Sequence, residues 1–218
     1  MLGVFPKLVN LLSFAVLGTA FLLIVRRDLA GQVRLFAVQS FILALLAGVV
    51  ARFTHSTELF GVALALVLIK VLMIPRVLNR AVTKIGIQRA VAPYLGTPAA
   101  LVVSGLLVVI AFYIMKPVAA LNPLPTADTI PLAFAGVLIG LFVMVIRRRA
   151  LTQILGFLML ENSIFLLALL TTYGVPFIVE MGVFLDVLVA VLVMEVFIYR
   201  IKENFDSIEV DQLGGLKG

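Results

Sequence analysis

Long apolar blocks separated by short basic clusters constrain this chain more than any other feature. A helix needs about 20 largely apolar residues to cross a bilayer. Soluble core helices rarely run that far without a charge. The spans expected are Leu8–Val25, Leu35–Ala51, Glu58–Ile74, Pro98–Met115, Thr129–Ile146, Ala150–Leu170 and Pro176–Tyr199. The fold class that follows is an all-α, polytopic membrane bundle of about seven transmembrane helices. Prolines punctuate it: Pro75 is expected to close the third span, Pro98 to open the fourth, Pro117 to follow it and Pro176 to open the seventh. The first block lacks a small-residue cleavage site and is followed by Arg26 and Arg27, so it reads as a retained helix rather than a signal peptide.

Composition supports the class. Hydrophobic residues make up 63% of the 218 and charged residues 13%, about half the charged share of a soluble domain. The net charge of +6 does not point to nucleic acid, because the basic residues gather at helix ends and no basic face is interleaved with aromatics. Thirteen Lys and Arg follow the odd-numbered spans, and only Lys7, Arg52 and Lys116 fall on the other side. The positive-inside rule then places the N-terminus outside and the C-terminus in the cytoplasm. The expected location is a bacterial or archaeal inner membrane, with lipids as the surrounding partner.

The connections divide the chain. Residues 1–116 form a four-helix region, 117–130 an outer loop, 131–202 a three-helix region and 203–218 a cytoplasmic tail. Pro117, Pro123 and Pro125 make Lys116–Ile130 read as ordered and non-helical. The segment Arg76–Gly96 mixes apolar and basic residues and reads as an interfacial amphipathic helix. No internal repeat is visible.

Cysteine is absent and His55 is the single histidine, so the chain cannot build its own iron–sulfur cluster or a Cys/His zinc site. The sequence carries no Walker loop, dinucleotide fingerprint or serine–histidine pair at membrane depth, so no catalytic, cofactor-binding or metal residues are assigned.

What remains is charge inside the bilayer. An ionisable group there costs about 2.5–3.5 kcal/mol or more, and is a functional candidate by default. At ~1.5 Å per residue, Glu161 lies roughly 16 Å into its span, Asp186 roughly 15 Å and Lys70 roughly 18 Å. All three fall near the midplane of a core about 30 Å thick. Glu180 is shallower and Glu195 lies near the inner mouth. Six residues separate Glu180 from Asp186, a rotation of ~240°, so the seventh span presents acids in two directions and should be covered on both. Glu161, Asp186, Lys70 and Glu180 are therefore candidates for proton transfer, with Glu195 and His55 as accessory groups. The bland readings stand beside these: Lys–Glu pairs also fix helix register, Glu195 can pair with Arg200, and His55 beside Arg52 and Glu58 reads as a solvated loop histidine. Asn162 and Ser163 are candidate interhelical hydrogen-bond partners.

Two resemblances extend this reading. From Arg147 onward the chain resembles the three-helix K subunit of respiratory complex I and the C subunit of Mrp antiporters. The residues that carry this are Gly156-Phe-Leu-Met-Leu-Glu161-Asn-Ser, the acidic helix ending in Tyr199-Arg200, and Asp206-Ser207-Ile208. That family implies a proton path through a buried glutamate on each of two helices; Glu161 matches the first, and Asp186 or Glu180 stands near the second. Over nearly its whole length the chain resembles the hydrogenase-4 membrane component E family. Val38-Gln-Ser-Phe-Ile-Leu-Ala, Leu68-Ile-Lys-Val-Leu-Met-Ile-Pro75 and Glu180-Met-Gly-Val-Phe-Leu-Asp186-Val-Leu-Val-Ala-Val carry it. The resemblance implies a membrane subunit of a group 4 [NiFe]-hydrogenase or formate hydrogenlyase-like, complex I-related assembly that contributes to proton translocation without catalysing the redox step. Its implied partners are antiporter-like membrane subunits, a complex I H-subunit-like membrane subunit, and a peripheral hydrogenase arm holding the Fe–S clusters and Ni–Fe site. The alternatives are a scaffold joining hydrogenase and antiporter-like modules, a subunit of an Mrp-type antiporter, and a free-standing ion transporter.

Overall fold

Apolar blocks with no water to satisfy their backbone must close their hydrogen bonds internally, and here they do so as helices. The computed structural model describes the backbone of residues 4–85 and 94–173, and side chains over those ranges except 81–85. The expected seventh span, with Glu180, Asp186 and Glu195, lies outside the described residues, as does the expected tail.

The helices are α1 (Val4–Val25), α2 (Leu29–Thr54), α3 (Thr57–Leu66), a π-helical segment (Val67–Met73), α4 (Ile74–Ile85), α5 (Thr97–Leu121), α6 (Ile130–Ile146) and α7 (Ala150–Thr172). A short 3-10 turn, Ala127–Thr129, leads into α6. α3, the π segment and α4 run on as one span. Six helices among the described residues are long and apolar enough to cross a membrane.

Several boundaries differ from expectation, each for a local reason. α2 starts six residues early because Asp28 caps it, its side chain accepting from the Gly31 amide at 2.7 Å. Pro75 does not close the third span. The preceding turns are π-helical and end with the Ile74 amide bonded back to the Ile69 carbonyl, five residues away. A proline directly after that wide turn has no N–H to place, so the helix passes through it to Ile85. The described part of the expected interfacial helix is thus a continuation of the third span. Pro117 likewise lies inside α5, which ends at Leu121. The stop is set by Asn122, which accepts from the Leu124 amide at 3.0 Å and donates to the Thr171 carbonyl at 3.3 Å. The non-helical part of the outer loop therefore shrinks to residues 122–126.

Successive spans run antiparallel, and contacts at each end tie them together. At one end Phe5 stacks on Phe53 at 3.9 Å, and Tyr173 meets both rings edge-on. The Tyr173 hydroxyl lies 2.9 Å from Thr126. At the other end Arg147 donates to the carbonyls of Leu23 and Ile24 at 3.0 and 3.3 Å. There the Tyr94 amide bonds the Ile146 carbonyl, and the Arg148 guanidinium lies 4.2 Å over the Tyr94 ring.

α6 and α7 approach most closely. In a bilayer, helices associate through van der Waals packing and hydrogen bonds, and small residues let backbones close up. Gly136 and Gly140 provide that on α6: a Cβ at Gly140 would sit 2.8 Å from Leu160 Cα, and one at Gly136 2.5 Å from Ser163 Oγ. α7 is thereby seated with Glu161 and Asn162 facing inward. One apolar cluster draws on α1, α2, α3, α5, α6 and α7, so the packing crosses the 117–130 connection.

Candidate functional site

The centre of the bundle holds a polar cluster on three spans. Lys70 is supplied by the π segment, and it is the buried member of that segment. An extra residue in a helical turn shifts everything beyond it by ~100° relative to a regular helix. The wide turn thus lets a helix that is apolar on both sides aim one lysine inward while Leu68, Leu72 and Met73 stay on the outer face. π turns of this kind recur at functional sites.

Lys70 Nζ lies 2.9 Å from Glu161 Oε1 and donates at 3.2 Å to Asn162 Oδ1. Both charged side chains are almost fully enclosed, at 2% and 4% exposure. An isolated charge at this depth would be prohibitive, so mutual neutralisation is what allows either residue to be there. Asn162 continues the network. Its Nδ2 donates to Gln39 Oε1 at 3.1 Å and to Ser40 Oγ at 3.0 Å. Gln39 Nε2 donates in turn to the Val16 carbonyl at 3.2 Å. A polar thread therefore runs from the third span through α7 and α2 to α1, with Gln39, Ser40 and Asn162 all at 0% exposure.

Of the expected site residues, the structure brings Lys70 and Glu161 into contact. Asp186, Glu180 and Glu195 lie outside the described residues. His55 is elsewhere: it is the left-handed C-cap of α2 (φ 54°), exposed beside Arg52 at the rim of an apolar groove between α1, α2 and α3. Asn162 makes interhelical bonds. Ser163 instead bonds back to the Met159 carbonyl of its own helix at 2.9 Å. Gln39 and Ser40 enter the sequence reading only within the string that carries the resemblance and not as site residues, although adjacent polar residues between Val38 and Phe41 in an apolar span are the available signal. Among the described residues no group of three metal-ligating side chains converges. The cluster is suited to holding and exchanging protons between an amine and a carboxylate.

The class defined by fold and site is an all-helical protein of membrane-spanning helices closed around a buried, hydrogen-bonded lysine–glutamate pair. The chain belongs to the same family as the uncharacterized protein Rv0085 of Mycobacterium tuberculosis, with which it is 38% identical over 214 residues, covering 98% of this chain and 97% of that protein. It is also distantly homologous to Hydrogenase-4 component E of Escherichia coli K12, at 25% identity over 183 residues, 84% of this chain and 85% of the relative. The component E of Shigella flexneri matches to the same extent. No family model and no solved structure matches.

Proposed function

We propose that the chain is a multi-pass inner-membrane subunit of a hydrogenase-related complex, and that the Lys70–Glu161 pair takes part in proton translocation there. The observation that carries this is the 2.9 Å contact between an amine and a carboxylate in a nearly sealed interior. In such a place each charge is desolvated and relies on the other, and moving the proton from Nζ to Oε1 would give up the Coulomb attraction while relieving the desolvation of two charges. In this reading a change in the field from a neighbouring charge moves the proton. The distant homology to a hydrogenase-4 component supports the parent assembly. In this reading Asp186 and Glu180 are further stations, the N-terminus is outside, and antiporter-like and complex I H-subunit-like subunits are neighbours. The redox groups, Fe–S clusters and a Ni–Fe site, belong to a peripheral arm, and the parent is formate hydrogenlyase-like.

Glu161→Gln in the assembled complex tests the role. Protons moved per hydrogen turned over should fall sharply in complexes that assemble normally. An unchanged ratio would remove Glu161 from the path. A second reading, a scaffold whose charges serve assembly, is favoured by the interhelical bonds that Lys70 makes to Glu161 and Asn162. It predicts lower complex yield with an unchanged ratio in the complexes that survive.

A further inference from the structure

We infer that Asn162 is a positioning residue that holds Lys70 in whichever protonation state Glu161 adopts, and that Gln39 and the α1 main chain fix the direction of that hold. This rests on the proton-transfer reading above.

The direction follows from atom types. The Val16 carbonyl can only accept, and Gln39 Nε2 reaches it at 3.2 Å. That turns Gln39 Oε1 the other way, where it accepts from Asn162 Nδ2 at 3.1 Å. The second Nδ2 hydrogen is taken by Ser40 Oγ at 3.0 Å. Oδ1 is then the only Asn162 atom left for Lys70, and it accepts from Nζ at 3.2 Å. Flipping the Asn162 amide would set its NH2 against an amine and its oxygen against the Gln39 oxygen, two repulsive contacts for the two bonds lost. The polarity presented to Lys70 is thus set three links away, by a peptide carbonyl that neither titrates nor rotates.

The consequence is chemical. When Glu161 accepts a proton from elsewhere, it stops being an anion and the ammonium loses its ion pair with it. Asn162 Oδ1 remains as an acceptor for it. When the proton instead passes from Lys70 to Glu161, one N–H bond breaks, one O–H bond forms and both groups become neutral. The amine still donates to Oδ1, and its lone pair faces Glu161, ready for return. Carboxamides do not exchange protons readily, so the branch toward α1 is a dead end. It holds the lysine without carrying its proton.

The test compares two substitutions in the assembled complex. Asn162→Leu removes the acceptor, and Asn162→Ser keeps a neutral one. Protons moved per hydrogen turned over should fall roughly tenfold or more in the leucine variant, the effect of losing one hydrogen bond to a charged group. The serine variant should retain more of the ratio than the leucine variant. Equal loss in both, or no loss in either, overturns the inference. A second measurement stands apart from pumping: a double-mutant cycle of Asn162→Leu with Lys70→Met on the stability of the full chain in detergent. Non-additive effects are expected, and strict additivity overturns the hold even if the leucine variant fails to assemble. An unchanged ratio in Glu161→Gln with a coupled cycle would refute the proposed function while leaving the hold intact.

Discussion

Among the described residues two cations are buried, and the protein treats them oppositely. Lys70, 1% exposed in the third span, meets a carboxylate and an amide oxygen. Arg147, 3% exposed just past the end of α6, meets the last carbonyls of α1, and its Nε has no hydrogen-bond partner among the described residues. The partners suit the cations. Lysine surrenders a proton when its surroundings demand it, and arginine does not. Burial pushes the Arg147 guanidinium down from its ordinary value, but that value is so high that the group stays charged throughout the physiological range. Helix C-terminal carbonyls carry partial negative charge and welcome a permanent cation. The centre of the bundle thus pairs its cation with a carboxylate, whereas the end is a fixed staple joining α1 to the α6–α7 connection.

The largest expected effect comes from breaking the centre. Lys70→Met leaves the Glu161 carboxylate enclosed without its cation, a loss of about 3–5 kcal/mol for a buried pair with one partner removed. Adding Glu161→Gln should recover much of that stability without restoring proton movement. The thermal midpoint and the yield of the detergent-solubilised chain read the first statement, and proton movement in the complex reads the second. A single variant as stable as the parent would mean that the lysine does not share a dry site with the carboxylate.

The centre was partly legible in the sequence and the staple was not, for a physical reason. Lys70 and Glu161 interrupt apolar runs, so the cost of burial itself announced them, and counting residues from the span ends put both at one depth. Arg147 is the first of three arginines at a helix end, where charge is ordinary, and nothing in Arg147-Arg148-Arg149 tells which one turns inward. Six of the expected spans were likewise legible from apolar length, while their limits were not. Asp28 moved the start of α2 by six residues, a polar side chain having more say than hydropathy at an end. Pro75 read as a stop because a proline removes a donor. The turn before it had already widened to i→i+5 bonding, a change that sequence periodicity does not reveal.

A smaller effect tests whether the centre depends on packing as well as charge. Gly140→Ala places a methyl group 2.8 Å from Leu160 Cα, a backbone atom next to Glu161 that cannot swing aside. α7 must move, at a cost of about 1–3 kcal/mol. Stability and the proton ratio should fall together, although no charged group is altered. Gly105→Ala is the matched control. Its Cβ meets nothing within 4 Å, so the change should be neutral or slightly stabilising in a helix interior. If both alanines behave alike, close approach of α6 and α7 is not what seats Glu161.

The smallest expected effect concerns the staple. Arg147→Lys keeps the positive charge but replaces a planar fork with a single ammonium on a flexible stem. Nη2 alone reaches both the Leu23 and Ile24 carbonyls, held in place by the plane of the guanidinium, and an ammonium on a flexible stem is less firmly held against that pair. The loss should be about 1 kcal/mol, the order of one hydrogen bond. A thermal scan of the purified chain beside its parent measures it. Because the guanidinium never gives up its proton, the number of protons moved per hydrogen turned over should not change. A lowered ratio in a variant that folds and assembles would make the basic end part of the route, and the division between the proposed proton-transfer centre and a fixed end would fail.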